Sequence, residues 1–371
     1  TPKPSSAASD VYKRQHLFRT RRISKSAQGT NMKIDGQDVV NFCSNDYLSL
    51  ANHPKIKEAL INGVKKYGAG SGASHLVSGH SEAHKSLEEA LAEFTGQESA
   101  LLFSSGYSAN LGIFSALRDE INWAIQDKLN HASLIDGLRL IGLPMQRYLH
   151  NNLKSLDKKI KKQTGPGLVA TDNVFSMDGD QANISGIAKM IDKKNTIFMQ
   201  DDAHGFGIFE PIIPPQSIYM ATLGKAAGVM GAFVSGDNDF IEFLIQKSRP
   251  YTYTTALPPN LCHAIQKSLD LIKQGEQKEK LTTNISHFKS MSNQLGLNFE
   301  DSNSAIQPLI VGSSSKALKI SNRLFDKGFF VNAIRPPTVP PKTARLRFTL
   351  SANHKTEQID ALLERVNDVM A

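Results

Sequence analysis

The 371-residue chain has two cysteines, Cys43 and Cys262, and one tryptophan. Two cysteines are too few for a disulfide framework, and neither sits in metal-ligand spacing. A reducing, cytoplasmic setting is therefore the default expectation. No apolar run approaches the roughly 20 residues that a membrane-spanning helix needs. No continuous apolar stretch near the N-terminus marks a secretory leader. Internal repeats are lacking, as is low-complexity sequence beyond the first residues. Charge is plentiful but uneven, with 43 Lys and Arg against 35 Asp and Glu, a net charge of +8. The lysines are dispersed along helical patterns such as Asp157-Lys158-Lys159-Ile160-Lys161-Lys162. No nucleic-acid-binding motif accompanies them, so no nucleic-acid partner is expected. A solvated surface accounts for most of the excess.

What is present fits a globular protein large enough for two domains: hydrophobic residues make up 40% and charged residues 21%. The stretch Asp10-Val11-Tyr12-Lys13-Arg14-Gln15 resembles the translated end of a transposon adaptor used in sequencing libraries. Residues 1–15 are accordingly expected to be a non-native artefact and stand outside the fold reasoning. An N-terminal segment is expected over residues 16–50, a large domain over 51–275 and a small C-terminal domain over 276–371. Lys33 to Val40 reads as a hairpin around Asp35-Gly36. Leu87, Ala90, Leu91 and Phe94 recur at helical spacing. Short apolar runs at Ala100–Phe103, Gly167–Thr171, Thr196–Met199, Ile218–Ala221 and Val229–Val234 read as strands. Strands alternating with helices predict a mostly parallel α/β sheet covered on both faces. After Pro258-Pro259, two long helical stretches are followed by mixed short strands and helices, which predicts a smaller α+β domain.

In such sheets ligands bind beyond the carboxyl ends of the strands, and the chemistry-bearing residues fall there. Asp201-Asp202-Ala203-His204 closes one apolar run and Thr222-Leu223-Gly224-Lys225 closes the next. A lysine among small neighbours loses solvent and becomes nucleophilic; a surface lysine in a turn is the plainer reading. An acid after a buried strand needs a partner, unless it is an exposed turn residue. Pyridoxal phosphate (PLP) would use both groups: the lysine for its aldehyde, the acid to keep its pyridine nitrogen protonated. Ser104 to Asn110 forms a strand-to-helix turn whose N–H groups suit a phosphate, though helix capping explains it equally. His131, in Asn130-His131-Ala132-Ser133, has a face to stack on an aromatic cofactor, or simply caps a helix. Arg345 and Arg347 share one face of a period-two strand and could hold a carboxylate, or form a polar strand face.

Together these residues resemble the α-oxoamine synthase family of PLP fold type I, from about Phe18 to the C-terminus. The resemblance rests on Asn41-Phe42-Cys43-Ser44-Asn45-Asp46-Tyr47-Leu48, Gly70-Ser71-Gly72, Asn130-His131-Ala132-Ser133, Val174 to Asp180, Asp201 to Gly205, and Thr222 to Lys225. Ser304 to Val311, Ala333 to Pro340 and Ala344 to Arg347 are similar to the biotin-pathway branch. The resemblance implies an aspartate aminotransferase-like large domain and a homodimer with shared active sites. It implies that Lys225 carries PLP and is the main base, that Asp201 pairs with the pyridine nitrogen, and that His204 and Ser176 meet the phenolic oxygen. His131 would stack on the ring, with Gly106, Tyr107 and Thr222 on the phosphate side. Thr254 or Thr255 would reach the phosphate of a neighbouring subunit. Asn45 and Arg347 would stand near an amino-acid carboxylate, and Arg19 and Thr338 on the acyl side. The implied activity is an acyl transfer that joins L-alanine to pimeloyl-CoA or a pimeloyl-acyl carrier protein with loss of CO2. A basic rim would then attract the carrier.

Two alternatives remain open at this stage. One is the glycine- and acetyl-CoA-using branch, 2-amino-3-oxobutyrate CoA ligase; the other is an inactive subunit, which would be expected to have lost Lys225. The chain departs from the family between His204 and Thr222, where the segment is short and carries Pro211-Ile212-Ile213-Pro214-Pro215. Ala226-Ala227 follows the lysine, where the family often has glycine and a bulky residue.

Overall fold

The structure is a computed structural model that describes residues 17–191 and 195–370. The stretch proposed as non-native, residues 1–15, lies outside the described residues. The chain divides into two compact units. One comprises His53–Ser176 and Gln181–Gly275; the other comprises the N-terminal part through Asn52, Met177–Asp180, and the chain from Glu276 onward.

In chain order, β1 (Asn31–Ile34) and β2 (Gln37–Asn41) form the first hairpin. Asp35 and Gly36 turn it with φ of 52° and 90°, the positive pair a two-residue hairpin loop demands. The unit that begins at His53 opens with α1 (Pro54–Tyr67) and α2 (Glu82–Thr95). It then runs β3 (Ser99–Phe103), α3 (Gly106–Leu117), β4 (Trp123–Asp127), α4 (Ala132–Ile141), β5 (Gln146–Tyr148), α5 (Leu153–Ile160) and β6 (Gly167–Asp172). After α6 (Ile184–Ile191) come β7 (Thr196–Asp201), β8 (Ser217–Thr222), β9 (Ala232–Gly236), α7 (Asn238–Lys247), α8 (Arg249–Thr252) and α9 (Pro259–Gln274). Seven strands form one sheet in the order β3-β9-β8-β7-β6-β4-β5. It is parallel from β5 to β8, and β9 runs antiparallel to both β8 and β3. Strands β4 and β6 are buried at every residue, as a parallel sheet sandwiched between helices requires.

The core between sheet and helices includes Ile113, Phe114, Leu134, Leu138, Leu168, Met199 and Val234, each contributing roughly 1.5–3 kcal/mol by burial. Gly137 lets α4 lie close on α3, since a Cβ there would meet Phe114 Cδ2 at 2.3 Å. That close approach fixes the two helices whose N-termini border the site. The apolar run expected to begin at Val229 becomes a strand only at Ala232, because Gly228 and Gly231, at φ of 71° and 99°, turn the chain first.

The other unit carries α10 (Glu276–Gln294), β10 (Ile306–Gly312), α11 (Ser314–Asp326), β11 (Phe329–Phe330), β12 (Asn332–Ile334), β13 (Ala344–Thr349) and α12 (Thr356–Met370). Its two small sheets have the orders β1-β2-β11 and β10-β13-β12. The stretch expected as one strand at Phe329–Asn332 is divided between them, because Phe330 still pairs with Asn41 while Asn332 pairs with Arg347. Among the described residues, no helix is long and apolar enough to cross a membrane.

Candidate active site

Four parallel strands end on polar residues: Asp127 on β4, Asp172 on β6, Asp201 on β7 and Thr222 on β8. Beyond these ends lies a cavity of about 210 Å³. Asp172, Asp201, His131, His204, Lys225 and Thr222 all line it, with Gly106, Tyr107 and Ser176 completing the wall.

Asp201 is buried, and its partners are protein groups. Asn110 Nδ2 donates to Oδ2 at 2.7 Å, and the Ala203 amide donates to Oδ1 at 3.0 Å. Asn110 sits on the otherwise apolar α3, and its Nδ2 also reaches Ser133 Oγ at 2.8 Å. Lys225 lies in the turn Leu223–Gly231, closed by Leu223 N–H to Gly231 O at 2.8 Å and Gly228 N–H to Lys225 O at 2.9 Å. Its Nζ stands 2.9 Å from His204 Nε2.

His131 caps α4. Its Nδ1 lies 2.7 Å from Ser133 Oγ, and its own amide donates to Asp172 Oδ2 at 3.0 Å. Burial pushes its imidazole pKa down, and Lys225 adds to that against the pull of Asp201; the neutral ring is favoured. Tyr107 meets the His131 ring edge-on at 6.4 Å and hydrogen-bonds Asp136. At the head of α3, Ser105 Oγ accepts the Ser108 amide at 3.1 Å, and Gly106 and Tyr107, the first helical residues, face the cavity. Asp202, behind the site, is buried and accepts the Tyr219 hydroxyl at 2.6 Å. Burial raises its pKa to about 7, with Asp201 adding to the rise.

Not every expected residue lines this cavity. Thr254 is half-buried and Thr255 exposed on the segment after α8, and neither borders it. The remaining candidates belong to the other unit. Arg347 Nη2 donates to Asn45 Oδ1 at 3.2 Å and to Tyr47 Oη at 3.3 Å. Arg345 is taken by an internal pair, donating to Asp178 Oδ1 at 2.6 Å and to Met177 O at 3.1 Å. Arg19 Nη2 donates to Thr338 Oγ1 at 2.8 Å, beside a wide cavity of about 640 Å³ that Arg22 and Arg335 also line.

Asn110, Ser133 and Asp172 were not singled out from the sequence as partners of the site. An asparagine within the apolar stretch Gly106–Leu117 was the available signal, because a buried amide needs partners.

The donor set has a group for each part of PLP. A primary amine suits the aldehyde, and a braced carboxylate suits the pyridine nitrogen. An imidazole and a hydroxyl suit the phenolic oxygen, and a helix N-terminus suits the phosphate. Such a donor set fits a PLP-dependent enzyme on the aminotransferase fold, and the chain belongs to the aminotransferase class I and II family, whose model matches residues 37–366. Within that family its likeness is to 8-amino-7-oxononanoate synthases. The one from Methylococcus capsulatus (strain ATCC 33009 / NCIMB 11132 / Bath) is 47% identical over 99% of this chain and 98% of the relative. Among solved structures, 8-amino-7-oxononanoate synthase from Francisella tularensis is 31% identical with a TM-score of 0.77, covering 89% of this chain and 97% of that one. A serine palmitoyltransferase from S. paucimobilis with bound PLP-myriocin aldimine is 26% identical with a TM-score of 0.91, covering 98% and 96%.

Proposed function

We propose that the chain carries out the reaction of 8-amino-7-oxononanoate synthase in biotin biosynthesis: L-alanine plus a pimeloyl thioester give 8-amino-7-oxononanoate, CO2 and the free thiol. The observation that carries this is the gathering of Lys225, His204, Asp201 and His131 around one cavity at the strand ends, in a chain 47% identical to a relative of that name. Bound there, PLP supplies an electron sink for the negative charge that develops at the Cα of the amino acid.

The residues of the chain supply the rest. Lys225 Nζ is the covalent anchor and takes the Cα proton of alanine. His204, 2.9 Å from that amine, supports it and faces the phenolic oxygen with Ser176. Asp201, fixed by Asn110 and Ala203, holds a proton on the pyridine nitrogen. His131, neutral, covers the ring and polarises the thioester oxygen. Gly106, Tyr107 and Thr222 take the phosphate, with Thr254 or Thr255 from a second copy of the chain in a homodimer. Arg347 with Asn45 is assigned the alanine carboxylate, and Arg19 with Thr338 the acyl side.

Product identification tests the reading. Alanine with pimeloyl-CoA should yield 8-amino-7-oxononanoate and CO2. A preference for glycine with acetyl-CoA would overturn it.

A further inference from the structure

The strand-end cavity holds a second carboxyl group that the reaction above does not use. Asp172 ends β6, is buried at 4% exposure, and is the register partner of Asp201 on β7. Both acids line the same small cavity, but they are not equally supplied with donors. Asp201 receives a side-chain amide at 2.7 Å and a backbone amide at 3.0 Å, one on each oxygen. Asp172 Oδ2 receives the His131 amide at 3.0 Å, while its Oδ1 is buried without a partner.

Two carboxylates in one buried cavity repel, and the site with fewer donors gives up its charge. Of the charged groups that face Asp172, Lys225 favours ionisation, while Asp201 and the buried Asp127 at the end of β4 oppose it. Burial and Asp201 together hold the Asp172 carboxyl well above the usual carboxylate range.

We propose that Asp172 is a positioning residue that works uncharged: its Oδ2 anchors the His131 amide, and with it the imidazole at the head of α4, while its buried Oδ1 carries the proton. Asp201, which has a donor on each oxygen, is then the acid left to partner the pyridine end. The kinetic consequence rests on the PLP reading of the cavity; the protonation state does not.

The discriminating change is Asp172→Asn, which keeps an acceptor for the His131 amide and a donor on the other atom without a charge. It should leave kcat/KM within about 3-fold of the wild type, whereas Asp172→Ala should lower it by roughly 30- to 100-fold. An asparagine variant as damaged as the alanine variant would overturn the proposal. Independently of turnover, infrared difference spectra of the full chain without added PLP, wild type minus Asp172→Asn at neutral pH, should show a carboxylic-acid C=O stretch. Carboxylate bands in its place would also overturn the proposal. The His131 amide NMR resonance should hold in Asp172→Asn and move in Asp172→Ala; equal movement in both counts against the anchoring role. Should the alanine variant fail to fold, the asparagine variant and the infrared spectrum still decide. If the wild type makes no product from alanine and pimeloyl-CoA, the assigned reaction fails, yet the infrared result on unloaded protein remains decisive for Asp172.

Discussion

Two cavities of the molecule, one in each unit, are built on opposite principles. The strand-end cavity is small, about 210 Å³, and its polar groups are held by protein atoms: Asp201 by Asn110 and Ala203, His131 by Ser133 and Asp172, Lys225 by His204. The cavity of the other unit is about 640 Å³ and is lined by Arg19, Arg22 and Arg335. There Arg22 pairs with Asp35 at 3.1 Å, Arg19 donates to the Thr338 hydroxyl at 2.8 Å, and Arg335 reaches the Phe18 carbonyl at 3.4–3.5 Å. Burial, and the nearby charge of Arg19, push the Arg335 pKa down. Fixed geometry is what proton transfer at a single atom demands. A surplus of guanidinium donors is what binding a carboxylate or phosphate demands. On the proposed function, the first cavity would serve the chemistry and the second an anionic end of the substrate.

That contrast breaks first at Lys225. Lys225→Ala should lose the visible absorbance of covalently attached PLP and drop kcat on the order of 10^4-fold, the scale expected when a nucleophile that is also the base is removed. The absorption spectrum of the PLP-loaded variant and a single-turnover assay measure this. Retained absorbance with retained turnover would place the anchor elsewhere.

Next in size is Asn110→Ala. It removes the 2.7 Å bond to Asp201 and leaves a buried carboxylate short of one donor, a loss worth about 1.5–3 kcal/mol. The expected result is a 10- to 100-fold fall in kcat and weaker PLP retention on dialysis, with the thioester KM unchanged. A change confined to KM would show that Asn110 acts only through the fold.

In the arginine-lined cavity the same truncation should act on the other kinetic constant. Arg335→Ala or Arg19→Ala should raise KM for the pimeloyl thioester by about 10-fold with kcat within about 2-fold, since a charge pair that contributes equally in ground and transition states alters binding alone. Steady-state kinetics at low and high salt check it, and the effect should shrink as salt rises. An Arg335 variant that loses kcat instead would dissolve the distinction between the cavities.

How far each region could be read beforehand follows the same division. Asp35-Gly36 named its own hairpin, because a two-residue turn with positive φ leaves few alternatives. The residues that line the strand-end cavity were legible singly, because parallel strands place chemistry at their carboxyl ends: Asp201, Lys225 and His131 all stand there. What could not be read were the braces. Asn110 meets Asp201 across 91 residues, and the His131 amide meets Asp172 across 41; local periodicity carries no information about such pairs. Arg345 and Arg347 alternate identically in sequence, yet one is consumed by Asp178 and the other holds Asn45. The division of Phe329–Ile334 between two sheets was invisible for the same reason, since pairing partners decide it and not the run itself.

A last contrast separates the two regions by pH, through stability and not turnover. Asp202, buried behind the strand-end cavity, has its pKa raised from 3.8 to about 7, chiefly by burial. The folded state therefore holds that proton more tightly than the unfolded chain does. Its contribution to stability is complete below about pH 3.8 and is lost as pH rises to about 7. The slope for one group cannot exceed about 1.4 kcal/mol per pH unit. Asp202→Asn removes that slope, so the difference between variant and wild-type urea midpoints should change steadily from pH 4 to pH 7 in favour of the variant. His75 and His354, whose pKa values fall to about 3 and about 4 by burial, act in the opposite sense in both proteins and cancel in the difference. In the arginine-lined cavity, burial pushes the Cys43 thiol up to about 12, so it stays neutral over this whole range. Cys43→Ser should shift the midpoint by the same amount at every pH. A pH-dependent difference for Cys43→Ser, or a flat one for Asp202→Asn, would reverse which cavity couples to protons.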